Sequence, residues 1–150
     1  MDKKAIKNKI IKSCIDILEE NIQSCKSRIQ EIIQTANEYE GDHDMFDPFK
    51  EEMMKKKDLQ VKQMEKFLDD LKLVKKVDPA KISDKVEFGA VIITNKQKMF
   101  VSAALGKISV DGESFYAIST QVPVFKAMRD LKTGETFQIN NNSLTIKDIF

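Results

Sequence analysis

The chain has no tryptophan, two cysteines, three prolines, five glycines and almost no net charge in 150 residues. Each scarcity excludes something. Lys+Arg number 25 against 24 Asp+Glu, a formal net charge of +1. That balance lacks the basic excess a protein needs to neutralise duplex phosphates, so independent duplex DNA binding is not expected. A local patch of either sign remains allowed. No apolar run approaches the ~20 residues that span a bilayer. The N-terminus, Met1-Asp2-Lys3-Lys4-Ala5-Ile6-Lys7, has no long apolar core behind its charges. Neither a membrane partner nor a secretory signal is therefore expected. Cys14 and Cys25 lie eleven positions apart; on one helix they would sit roughly 16 Å apart, beyond disulfide reach. A reduced, cytoplasmic setting is expected. No Ser-His-Asp set, Walker-type glycine loop or Cys/His zinc spacing is present.

Glycine and proline divide the chain into two halves. The first 77 residues hold one of each, Gly41 and Pro48, in one short stretch; the remaining 73 hold four Gly and two Pro. Residues 1–77 carry 16 basic and 16 acidic side chains, the rest 9 and 8. A long, charged segment with one interruption near its middle reads as two helices joined by a turn. On the first, Ile11, Ile15, Leu18, Ile22, Cys25, Ile29, Ile32 and Ala36 alternate by four and three, a heptad seam. On the second, Met54, Lys57, Val61, Met64, Leu68 and Leu71 keep a similar pattern, widened by Met53, Phe67 and Val74. Each helix alone would expose its stripe, so a short connection brings them back antiparallel as a coiled-coil hairpin. About 35 residues per helix makes an arm roughly 50 Å long.

Asp78-Pro79 ends the second helix. Beyond it the pattern turns β-branched. Val86–Thr94, Met99–Leu105, Ser114–Ile118, Glu135–Ile139 and Leu144–Ile149 read as strands. Pro123 followed by Val124–Leu131 reads as a short helix with Pro in its first turn. The expected fold is α+β: a helical arm over 1–77, a linker over 78–84, and over 85–150 a small, mostly antiparallel sheet with one helix.

The turn of the hairpin concentrates charge. Residues 38–52 hold seven carboxylates, one Lys and the only His, His43, a net −6 in an arm otherwise positive. Crowding like charge at the end of a rod costs self-repulsion that a neutral turn would avoid. Phe46 and Phe49 lie in the same stretch. Such a tip can deliver carboxylates, and with them a hard cation such as Mg²⁺, to a partner's site. Against this, Asp47 before Pro48 is a good helix N-cap, with Glu51 and Glu52 in the early turns of the second helix. His43 reads as a solvated turn residue. No enclosed pocket is expected at the end of a hairpin, so chemistry there needs a second protein.

An antiparallel coiled coil with an acidic tip, followed by a small β-rich domain, resembles the GreA/GreB family of transcription elongation factors. Phe88-Gly89-Ala90-Val91-Ile92-Ile93-Thr94 is similar to the family's "FGS-V-V" strand. Ala117 to Met128, with Ile118-Ser119-Thr120-Gln121-Val122-Pro123 at its heart, is similar to "IS-x-x-S-P-x-x-x-A-L". Leu131-Lys132-Thr133-Gly134-Glu135-Thr136-Phe137 is similar to the "K-x-G-D-x-V" turn, and Leu144–Ile149 to the closing strand.

The resemblance implies an FKBP-like C-terminal domain docked at the rim of the RNA polymerase secondary channel, with the region of Ser119, Pro123 and Phe125 favoured for docking. It implies a coiled coil that enters the channel and sets carboxylates beside the catalytic Mg²⁺, promoting hydrolysis of backtracked RNA 3′ ends by the polymerase. Gly41-Asp42 fits the family's "G-D-x-x-E-N" tip, which makes Asp42 a catalytic and metal-holding candidate, with Asp44 or Asp47 standing in for the family Glu. At that Glu position this chain has Met45. Two readings follow: a cleavage-stimulating factor that shares Mg²⁺ with the polymerase through Asp42 and Asp44, or a non-cleaving occupant of the same channel. A generic coiled-coil interaction protein is a third. Lys55, Lys56 and Lys57 are the candidates for contact with the nascent RNA 3′ end, or else a solvated helix face. Prolyl isomerase activity, known in FKBP-like folds, needs an aromatic-lined apolar pocket, and Tyr116 is the only Tyr or Trp of the second half.

Overall fold

The computed structural model describes residues 2–39 and 47–150. Two long helices, α1 (Lys3–Asn37) and α2 (Pro48–Lys75), come first. They are followed by β1 (Val91–Thr94), β2 (Lys98–Val101), β3 (Gly106–Val110), β4 (Glu113–Ile118), α3 (Pro123–Met128), β5 (Thr136–Ile139) and β6 (Asn142–Ile149). This is the expected α+β class, a helical hairpin ahead of a small sheet with one short helix. The residues fall into two compact units, Ile17–Asp69 and Met1–Asp16 with Asp70–Phe150.

In the helical unit the α1 seam is inward as the heptad requires. Leu18, Ile22 and Cys25 are buried; Ile29, Ile32 and Ala36 are half-buried. On α2 the expected stripe is inward except at Met54, Lys57 and Leu68. Met54 is 65% exposed and Leu68 38%, whereas Met53, Gln60, Val61, Met64 and Phe67 are half-buried. Positions 53, 57, 60, 64, 67, 71 and 74 alternate strictly by four and three, so α2 does carry a full heptad. Two of its members are polar: Lys57, already in the expected stripe, is exposed, and Gln60 is the half-buried member that hydrophobicity alone misses. The Gln60 Oε1 is buried without a hydrogen-bond partner, a cost that a buried acceptor ordinarily avoids.

The sheet unit has strand order β3-β4-β2-β1-β6-β5. All pairs are antiparallel except β2 with β4, where Met99, Phe100 and Val101 lie beside Tyr116, Ala117 and Ile118 in parallel register. One face packs on α3: Phe125 and Met128 join Ile92, Met99, Val101, Phe137, Leu144 and Ile146 in a single core. Phe100, Phe115 and Phe150 are buried outside that core. At the start of α1, Lys3 Nζ pairs with Asp148 at 2.9 Å and lies over the Phe150 ring, which ties the helix to β6.

Three local expectations change. The strand expected over Val86–Thr94 begins only at Val91, because Glu87–Ala90 forms a turn: Ala90 N–H donates to Glu87 O, and Gly89 has φ +88°. The helix expected to reach Leu131 stops at Met128. There the chain turns away to donate Asp130 N–H to Val86 O, while Val86 N–H donates to Leu131 O. Strand β3 was not expected at all. Its signal is Asp111-Gly112, whose φ values of 52° and 79° make the left-handed two-residue turn that joins β3 to β4. Asn140 and Asn141 do the same between β5 and β6.

Candidate functional site

Asp42 and Asp44, with His43 and Met45, lie outside the described residues. The described flanks of the acidic run are well defined. Glu38 continues the α1 hydrogen-bond pattern through Gln34 O and accepts from Gln34 Nε2 at 3.0 Å. Tyr39 stacks on Phe49 with ring centroids 4.2 Å apart, so one aromatic from each side of the connection closes on the other. Asp47 caps α2: its Oδ1 accepts the Phe49 N–H at 2.9 Å, and its carbonyl accepts from Glu51. The capping reading of Asp47 therefore stands. Asp47 is 7% exposed, and its second oxygen, Oδ2, is buried with no hydrogen-bond partner.

Removing this cap has an expected result. Asp47→Ala frees one of the first N–H groups of α2 and lowers stability by about 1 kcal/mol. Urea unfolding followed by circular dichroism at 222 nm measures it, and Asp47→Asn should recover most of the loss. An unchanged midpoint in the alanine variant would contradict the capping role.

Past the cap, Lys55 and Lys56 sit over Glu51 and Glu52 at 3.9 and 3.4 Å as exposed i,i+4 pairs. Such pairs contribute only a few tenths of a kcal/mol. Consecutive helical residues point ~100° apart, so the three lysines do not share a face. Lys57 occupies the heptad position and, with Ile32, Ile33, Ala36, Met53 and Met54, lines an open, apolar groove of about 330 Å³.

In the sheet unit the docking candidates divide by exposure. Ser119 Oγ accepts the Gln121 N–H at 3.2 Å, and Pro123 is exposed at the first turn of α3. Phe125 is 5% exposed and belongs to the core. It also lines a cleft of about 410 Å³ with Glu87, Phe88, Gln121 and Arg129. Two phenylalanines thus share the border of that cleft with charged and amide side chains.

Sequence reasoning overlooked Lys7. Its side chain is 1% exposed and its Nζ donates to Lys81 O at 2.8 Å. It borders a small cavity of about 150 Å³ with Lys76, Asp78, Lys81, Ser83 and Phe88. Burial pushes its pKa below the usual lysine value and the Lys81 charge adds to this, with Glu87 and Asp78 opposing. A heptad-flanking lysine carries no sequence signal of burial. Both cysteines are buried, and burial pushes the Cys14 thiol up to about 12, far from a reactive thiolate at neutral pH. Among the described residues no group of three or more His, Cys, Asp or Glu could hold a metal ion, and no helix is long and apolar enough to cross a membrane.

No protein-family model matches the chain, and no curated protein matches it. Among solved structures, the chain is similar to GreA factor homolog 1 (Gfh1) of Thermus thermophilus. The two are 16% identical, with 93% of this chain and 96% of that one covered, at a TM-score of 0.38. A structure of the transcription factor Gfh1 is 15% identical, with 92% and 94% covered and a TM-score of 0.37. At such values function has to be argued from the residues themselves.

Proposed function

We propose that this chain is a transcription factor of the GreA/GreB kind, which binds RNA polymerase through its secondary channel and stimulates cleavage of backtracked RNA. The observation that carries the reading is where the acidic run falls. Five of its seven carboxylates fall in residues 38–47, which connect α1 to α2 in sequence, and the other two in the first turns of α2. The family-like segments 88–94, 117–128, 131–137 and 144–149 follow in the family's order.

In this reading Asp42 and Asp44 hold a Mg²⁺ ion shared with the polymerase. Their hard carboxylate oxygens suit that ion. When bound, the ion would supply an activated water for phosphodiester attack. The chain's own contribution is placement: the Tyr39–Phe49 stack holds the two ends of the acidic connection together, and the Asp47 cap fixes the first turn of α2. Lys55, Lys56 and Lys57 stand within two and a half turns of the α2 start, within reach of a nascent RNA 3′ end. Ser119 and Pro123 offer the exposed part of the docking segment. A cytoplasmic site of action follows from the partner.

Met45 supports a second reading, a channel occupant that alters elongation without cleavage, because a thioether replaces a carboxylate at the family's Glu position. The test uses stalled, backtracked elongation complexes with labelled RNA and Mg²⁺. Short 3′ fragments are expected, released on the order of 10²-fold more slowly with Asp42→Ala/Asp44→Ala. Altered elongation without fragments would favour the second reading. No binding to polymerase at all would overturn both.

A further inference from the structure

We infer that the open end of the sheet, around Tyr116, Lys96 and Lys107, is a binding site for single-stranded RNA. It does not rest on the reading above. Tyr116 is 40% exposed, although it sits in the middle of β4. The register explains this. Lys107 of β3 and Met99 of β2 lie beside Tyr116, and directly opposed residues project from the same face. Met99 is covered within the α3 core, but Tyr116 is not part of that core. The next two residues outward on this face, Ser109 and Ser114, are opposed to each other and exposed.

Tyr116 lines an open cleft of about 430 Å³ with Asn95, Lys96, Gln97, Lys98 and Lys107. Lys98 is already engaged, paired with Glu113 at 2.7 Å and lying over the Phe115 ring. Lys96 and Lys107 have no carboxylate partner among the described residues. The turn that carries Lys96 is tightly held. Thr94 Oγ1 accepts the N–H groups of Lys96 and Gln97 at 3.2 and 3.0 Å and donates to Gln97 O at 2.9 Å. Asn95 N–H donates to Thr145 O, and Asn95 Oδ1 accepts the Thr145 N–H. Two cations on hydrogen-bonded backbone thus share one cleft with an exposed aromatic ring.

That combination fits a flexible strand of nucleotides. A base stacks on the ring, flanking phosphates meet the lysines, and no base-specific contact is required. A rigid duplex would not lay a base on the ring. An acidic peptide would use the lysines and ignore it.

The experiment is fluorescence anisotropy of a labelled oligouridine of about 12 nucleotides, within the usual span of such sites, titrated with the full chain over a range of salt concentrations. Saturable binding is expected, weakened about tenfold by Tyr116→Ala and retained by Tyr116→Phe. Lys96→Ala/Lys107→Ala should reduce the salt slope by about 1.4, which is about 0.7 for each lost phosphate contact on a single strand. Lys62→Ala/Lys66→Ala, at exposed positions of α2, should leave the affinity unchanged. All three patch residues are exposed, and circular dichroism checks that the variants stay folded. Absence of saturable binding would overturn the proposal. So would loss of binding in the arm variant alone, or equal affinity of wild type and Tyr116→Ala with polyglutamate competing as well as RNA.

Discussion

Lys7→Ala is expected to lower stability by roughly 2–4 kcal/mol. The lost part of the side chain includes three methylenes buried to 1% exposure, each contributing about 0.8 kcal/mol. The substitution also strips the Lys81 carbonyl of its donor, and a stranded buried acceptor costs about 1–3 kcal/mol. Relief of the desolvated ammonium offsets part of the sum. Lys7→Met keeps the stem without the charge and should stay within about 1 kcal/mol of wild type at neutral pH, which separates packing from electrostatics. The pH dependence has a definite sign. Burial holds the Lys7 pKa in the folded chain below the value of 10.5. The unfolded chain therefore binds more protons over the interval between the two values. In that interval the Lys7 contribution to stability rises with pH, and below the folded value the full penalty of the buried charge is present. Urea unfolding of wild type and Lys7→Met at pH 7 to 10 should show the difference moving in favour of wild type as pH rises. A constant difference would mean that Lys7 is not desolvated in the folded protein.

Gly89→Ala is expected to cost about 2 kcal/mol or more. Gly89 has φ +88°, and a left-handed backbone costs an L-residue roughly 1–2 kcal/mol. An added Cβ would also come within 3.3 Å of Val77 Cγ1, tighter than an ordinary contact. The turn cannot relax freely, because Gly89 N–H donates to Val101 O at 2.7 Å and Ala90 is fully buried. Gly112→Ala is the comparison. Its φ is +79° but nothing lies within 4 Å of the new Cβ, so only the conformational part should appear. Thermal unfolding of the two variants measures the difference. Equal losses would mean that the Val77 contact yields without cost.

The two positions illustrate how much of this protein is legible without its fold. The helical arm, the α1 seam, the break at 38–47 and the Asp47 cap follow from residue type and spacing, because helices and caps are set by neighbours within four positions. The same holds for the class of the second half and for Pro123 at the start of α3. β3 was legible too, in Asp111-Gly112, but was overlooked.

The rest needed residues far apart in the chain. The α2 seam takes in Gln60 and leaves Met54 and Leu68 exposed because the hairpin pairing, not hydrophobicity, chooses which face is inward. Val86–Ala90 is a turn rather than a strand because its hydrogen bonds go to Leu131, Asp130 and Val101. The buried Lys7 Nζ finds its acceptor in a carbonyl 74 positions away. The neighbours of the exposed Tyr116, Lys107 on one side and Met99 on the other, are set by the pairing of β4 with β3 and β2. Sequence by itself determined the elements and the charge at the turn between the helices, which are local properties. Which side chains are buried, and which are left to meet a ligand, was decided by tertiary structure, since burial is the sum of contacts that no local window contains.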